Sequence, residues 1–126
     1  MHTIFATRQK IEDQIITALE GGSNYWCSIS KEEIEKIIRE VVLEGIPFSE
    51  KIFRYCYDLE KSVEIRDFEN VDEVLGVLSK KSMLRAIDLI KERYPHFYDE
   101  INNEDGDAST ADVFFQLAVM GELVFG

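Results

Sequence analysis

Apolar residues recur along this chain with a helical period in some stretches and an alternating one in others. Over 7–20, Ile11, Ile15, Ala18 and Leu19 share one helical face, with Ile16 beside it. Arg8, Lys10, Glu12, Asp13 and Gln14 lie mostly opposite, so the spacing predicts an amphipathic helix. Gly21-Gly22 is expected to stop it, since glycine tolerates the left-handed C-cap conformation. Tyr25 to Ile29 is rich in strand formers and is expected to be extended. Ser30-Lys-Glu-Glu33 has the form of a capping box and opens a helix over 31–43. Its apolar face is Ile34, Ile37, Ile38, Val41 and Val42; Gly45 closes it and Pro47 prevents its resumption.

Lys51 to Asp58 alternates, with Phe53, Tyr55 and Tyr57 on one side and Ile52, Arg54 and Cys56 on the other. A turn at Leu59-Glu-Lys61 and a short strand over 62–67 complete a predicted β-hairpin with an aromatic stripe. A helix starting at Ser49 is the alternative for its first strand. Val71 to Leu78 is a third strand. Ser79 caps a helix over 80–93 that turns Met83, Leu84, Ile87 and Ile90 inward and ends on Lys91 and Arg93. Pro95 is read as its stop, 96–108 as a polar acidic loop, 110–120 as a last helix and 122–126 as an extended segment. The alternation predicts a single α+β domain over 1–126: a small, largely antiparallel sheet of three to four strands packed with about four helices.

The last helix is apolar almost all the way round. Only Ser109, Asp112 and Gln116 form a thin polar stripe. Such a helix belongs inside a core, and any polar group it carries inward needs a partner, since an unpaired one costs roughly 1–3 kcal/mol. Asp112 also lies in the first turn, where the helix dipole favours a carboxylate. The candidate ligand-binding residues are Glu20, Gly21, Gly22, Asn24, Tyr25, Trp26, Asp112 and Gln116. Two glycines permit close approach, Asn24 donates and accepts, and Tyr25 and Trp26 offer flat faces with a polar handle. The sharper expectation is that Asp112 and Gln116 reach Asn24, Tyr25 or the Gly21-Gly22 amides. The plainer one is a helix end leading into a core strand anchored by Trp26.

The segments Glu20-Gly-Gly-Ser-Asn-Tyr-Trp26 and Asp107-Ala-Ser-Thr-Ala-Asp-Val-Phe-Phe-Gln-Leu-Ala-Val-Met-Gly-Glu-Leu-Val-Phe-Gly126 resemble a group of small uncharacterised proteins of phages, prophages and bacterial genomes. The resemblance covers the two ends of the chain. It implies a setting, mobile elements or host interaction, and no mechanism.

Charge narrows the function classes. The net charge is −11, which argues against binding nucleic acid through its phosphates. All 14 Lys and Arg lie at or before Arg93, and seven acids follow it (Asp99, Glu100, Glu104, Asp105, Asp107, Asp112, Glu122). That stretch suits a basic protein surface or a cation, or else a solvated loop. No apolar run approaches the ~20 residues of a membrane span, and the first residues lack a signal-peptide layout, so a cytoplasmic protein of a bacterial or phage-infected cell is expected. Cys27 and Cys56 stand far apart with no Cys/His cluster, so free thiols are expected. Asn103-Glu-Asp-Gly-Asp107 matches a calcium loop poorly, with Ile101 at the first ligand position. His2 and His96 sit in no nucleophile–base pattern, no G-x-S-x-G elbow occurs, and Gly21-Gly22 is neither a P-loop nor a dinucleotide fingerprint.

These observations rank three functions: a non-enzymatic binding module for a small molecule or host protein, a hydrolase or metal-dependent enzyme using clustered carboxylates, and an acidic structural or assembly protein. The status as an enzyme is left open, leaning to no. No cofactor, nucleic acid or membrane is expected, and a homo-oligomer is left open.

Overall fold

The computed structural model describes residues 4–126, with side chains from 7 onward. Among these residues are six α-helices and three strands, a mixed α+β fold. Helix α1 (Ile4–Thr17) runs into a π-helical turn, Ala18–Gly22. Strand β1 is Cys27–Ser28, α2 is Lys31–Glu40, and α3 is Phe48–Tyr57. Strands β2 (Val63–Asp67) and β3 (Val74–Leu78) precede α4 (Lys80–Arg93), α5 (Pro95–Asn102) and α6 (Ala108–Met120). The sheet is antiparallel, in the order β1-β2-β3. Cys27 pairs with Asp67, Ile65 with Gly76 and Val63 with Leu78; a bulge separates the Ile65 and Arg66 pairings.

Helix α6 is the axis of the core. Thr110, Ala111, Phe114, Phe115, Gln116, Leu117, Ala118 and Val119 are all buried on it. It packs against α1, α4, α5, β3 and the π-helical turn. Asp107 caps its start, accepting from the Ser109 and Thr110 amides, while Thr110 Oγ1 accepts from the Asp107 amide. Those amides, Thr110's first, hold the Asp107 carboxyl below its usual range. Gly121, at φ 77°, ends the helix in the left-handed conformation.

Two glycines let α6 lie this close to its neighbours. A Cβ on Gly22 would stand 2.7 Å from the Ala108 carbonyl oxygen, and one on Gly76 would collide with the carbonyl of Val119. Gly21-Gly22 does end α1's run, but not by the expected left-handed cap. Gly21 has φ 174°, and no heavy atom lies within 4 Å of where its Cβ would be.

Three other expectations are corrected. Lys51 to Asp58 is part of helix α3, as the Ser49 alternative had it, and the hairpin built on it does not exist; β2 pairs with β1 and β3. Ile52, Phe53, Tyr55, Cys56 and Tyr57 are all buried on one broad face, with Glu50, Lys51 and Arg54 on the other side, and that face is wide enough for Phe53, Tyr55 and Tyr57 to mimic alternation. The loop expected over 96–108 is mostly α5, with Pro95 at its first turn, where a missing N–H costs nothing. The box at Ser30 is half made. Ser30 caps the Glu33 amide, but the Glu33 carboxylate turns away and accepts from the Glu64 amide, tying α2 to β2.

Candidate functional site

The polar stripe of α6 meets the segment that follows the π-helical turn. The Ser23 amide donates to the Ala18 carbonyl, and the Ser23 carbonyl accepts from the Trp26 and Cys27 amides. This tight turn aims three side-chain donors at one carboxylate. Ser23 Oγ and Trp26 Nε1 donate to Asp112 Oδ1 at 2.7 and 2.8 Å. Tyr25 Oη donates to Asp112 Oδ2 at 2.6 Å, and Gln116 Nε2 to the same oxygen at 3.2 Å. A carboxylate has about four lone-pair sites, so Asp112 is saturated. It is a junction between two distant parts of the chain rather than a base waiting for a proton. Asn24 and the Gly21-Gly22 amides are not among its donors.

Gln116 is the second junction. It is 1% exposed, yet its amide is fully used. Oε1 accepts from the Val124 and Phe125 amides, both at 2.9 Å, and Nε2 donates to the Phe125 carbonyl at 3.0 Å. Residues 121–126, which have no regular structure, are thereby held against α6. Trp26 is 3% exposed; its ring stacks on Phe125 at 5.2 Å and 13° and packs on Phe115 at 5.6 Å. The indole is interior, with both its face and its N–H engaged. Tyr25 is 50% exposed. Desolvation, and after it the bond to Asp112, pushes its phenol up to about 12.

The candidate residues thus divide between two grooves. One, about 510 Å³, lies between the π-helical turn, α5, α6 and residues 123–126. Its walls include Gly21, Gly22, Tyr25, Phe97, Ser109, Asp112, Val113, Gln116, Leu123 and Phe125, and no Lys or Arg. The other, about 410 Å³, lies on the far side of the same segment, between β1, α2 and α3. It takes Glu20 and Asn24, with Ser28, Phe48, Ser49 and Ile52. Glu20 Oε2 accepts from Ser49 Oγ at 2.7 Å. Glu20 and Asp112 are therefore not a carboxylate pair in one site. Trp26 lines neither groove.

Sequence reasoning brought Asp112 to Tyr25 but missed Ser23, Phe125 and Ser49. Ser23 lies within the Glu20–Trp26 segment, two residues before Tyr25, and carries no stronger signal than that. Cys27 and Cys56 are buried free thiols. Burial pushes both up to about 12, with the Asp112 charge adding to Cys27, so neither is an activated nucleophile. His96 packs on Phe97 at a tilt of 38°, and His2 lies outside the described residues. Among the described residues no group of three or more His, Cys, Asp or Glu could hold a metal ion, and no helix is long and apolar enough to cross a membrane. No family model matches the chain, and neither a curated protein nor a solved structure matches it.

Proposed function

We propose that this protein is a non-enzymatic binding module, and that its groove beside α6 takes a basic, apolar segment of a host protein in a phage or prophage setting. The observation that carries the reading is the lining of that groove. Phe97, Val113, Leu123 and the half-exposed Tyr25 ring supply apolar surface, while the one charged side chain in the lining is the saturated Asp112 carboxylate. Asp107 and Glu122, both exposed, adjoin the lining residues Ala108 and Leu123 along the chain. Arg93, the last cation in the sequence, is engaged with the Gly121 carbonyl. An apolar floor with no Lys or Arg in its lining, in a stretch of chain rich in acids, favours a cationic partner with an apolar anchor, because charge steers the encounter and buried area holds the complex.

The test is a titration of isotope-labelled protein with a capped Lys-Leu-Phe-Lys peptide, read by amide chemical shifts. Shifts should concentrate on Gly21, Gly22, Tyr25, Ser109 and Val113 and weaken with added salt, and Tyr25→Ala should reduce affinity by about tenfold. Shifts confined to Asn24, Ser49 and their neighbours, or none with peptide at about 1 mM, would overturn the reading.

A further inference from the structure

Part of the α6 groove is walled by the chain itself, in a way that copies how proteins hold a foreign peptide. Gln116 reads the backbone of Val124 and Phe125 through two accepted N–H groups and one donated bond to a carbonyl. None of the three bonds involves a side chain of residues 124 or 125. The only side-chain selection is the Phe125 ring, stacked on Trp26. Leu123 and Val124 stay exposed. Backbone pairing gives affinity and one pocket gives specificity, the division of labour seen where extended peptides dock. The joint to the rest of the fold is Gly121, which has no heavy atom near where a Cβ would stand.

We infer that residues 122–126 are a displaceable occupant of a peptide-docking site made by Gln116 and Trp26. The partner that replaces them is an extended protein segment with two consecutive N–H donors, a carbonyl acceptor and an aromatic side chain at the place of Phe125. This rests on the binding reading above and goes beyond it: residues 122–126, which now supply Leu123 and Phe125 to the groove wall, would on release uncover Trp26 and Gln116 as an added surface beside it. The tethered segment competes at a high effective concentration, of order mM for a short linker, so a free peptide meets a strong internal rival. Release would leave Gln116 Oε1 without its two donors, which makes the exchange worthwhile only for a segment that restores them.

Two measurements test this. In the wild-type chain, amide hydrogen exchange should show Val124 and Phe125 opening about a hundredfold or more faster than Phe115 and Leu117 of α6, as a locally released segment requires. In Phe125→Ala, the capped peptide Glu-Leu-Val-Phe-Gly should bind about tenfold or more tighter than to wild type and restore the Trp26 emission, whereas Glu-Leu-Val-Ala-Gly should not. Exchange of the Val124 and Phe125 amides only with global unfolding overturns the inference, whether or not the variant folds. So does equal peptide affinity for both chains, and so does a swapped dimer, which would make the occupant a second copy. If the Lys-Leu-Phe-Lys peptide shifts Gly21, Gly22 and Tyr25 while Val124 and Phe125 stay protected, the binding reading stands and the displacement alone falls.

Discussion

The groove beside α6 and the groove beside α3 share residues 20–27 as a common wall, yet the carboxylates on their two sides stand in opposite conditions. Asp112 accepts from four side-chain donors, three of them from a single turn. Glu20 is exposed and accepts from Ser49 alone. The first is committed to holding α6 against the Ser23–Trp26 turn; the second keeps acceptor capacity for something else. Removing the shared carboxylate strands all four of its donors, whereas removing the Glu20 acceptor strands one hydroxyl.

The strongest way to break the α6 side is Trp26→Ala. It removes an interior ring packed between Phe115 and Phe125 and an N–H that donates to Asp112. A loss of about 3–5 kcal/mol is expected in denaturant unfolding. Near-wild-type stability would mean the indole is not an interior element. Asp112→Asn comes next. An Asn amide can accept at one oxygen only, and its NH2 would face two donors, whether Ser23 and Trp26 or Tyr25 and Gln116. The expected cost is about 2–4 kcal/mol, since at least one buried donor is left facing another. A change within about 0.5 kcal/mol would reduce Asp112 to a helix-dipole residue.

The adjacent glycines sharpen the contrast within a single turn. Gly22→Ala should cost about 1–3 kcal/mol, because its Cβ meets the backbone carbonyl of Ala108, which cannot swing aside. Gly21→Ala meets nothing and should change stability by less than about 1 kcal/mol. Equal effects would mean that the Gly22–Ala108 contact does not set the position of α6.

These cases also mark what could be read from the chain. The interior character of α6 was legible because thirteen consecutive positions carry almost no polar surface. Ser79 and the helix after it were legible because capping is local. The reason for Gly22 was not, since its constraint is a carbonyl 86 residues away. The identity of α3 was ambiguous because its apolar face is broad enough to take Phe53, Tyr55 and Tyr57 as well as Ile52 and Cys56, which satisfies period 2 and period 3.6 together. Pro95 was read as a stop when it also begins α5, a distinction the residue itself does not carry. At the site, the Asp112–Gln116 spacing announced a shared face. Which donors reach it depends on the turn that aims Ser23 rather than Asn24 inward.

Tyr25 stands between the two conditions, since its hydroxyl belongs to the saturated cluster and its ring to the open groove. Tyr25→Phe should cost about 0.5–1.5 kcal/mol at neutral pH, one hydrogen bond to a charged acceptor at a partly solvated position. Its titration gives an independent check. The folded phenol is raised from 10.0 to about 12, so the fold favours the protonated form. That contribution is fully present below about pH 10 and is lost as pH rises through about 12. Cys27 and Cys56, raised from 9.0 to about 12, lose theirs toward the same upper limit. Alkaline destabilisation should therefore persist in Tyr25→Phe but with a shallower slope between pH 10 and 12. An unchanged slope would show that the phenol titrates as it does in the unfolded chain.

The smallest effect is expected across the wall. Glu20→Gln keeps an oxygen that can accept from Ser49 and removes only an exposed charge, so stability should move by no more than about 0.5 kcal/mol. The same variant should leave the Lys-Leu-Phe-Lys titration unchanged, because Glu20 lies on the α3 side of the segment. A large loss of peptide affinity with intact stability would move the binding surface to the 410 Å³ groove. It would make the spare carboxylate, rather than the saturated one, the group that meets a cationic partner.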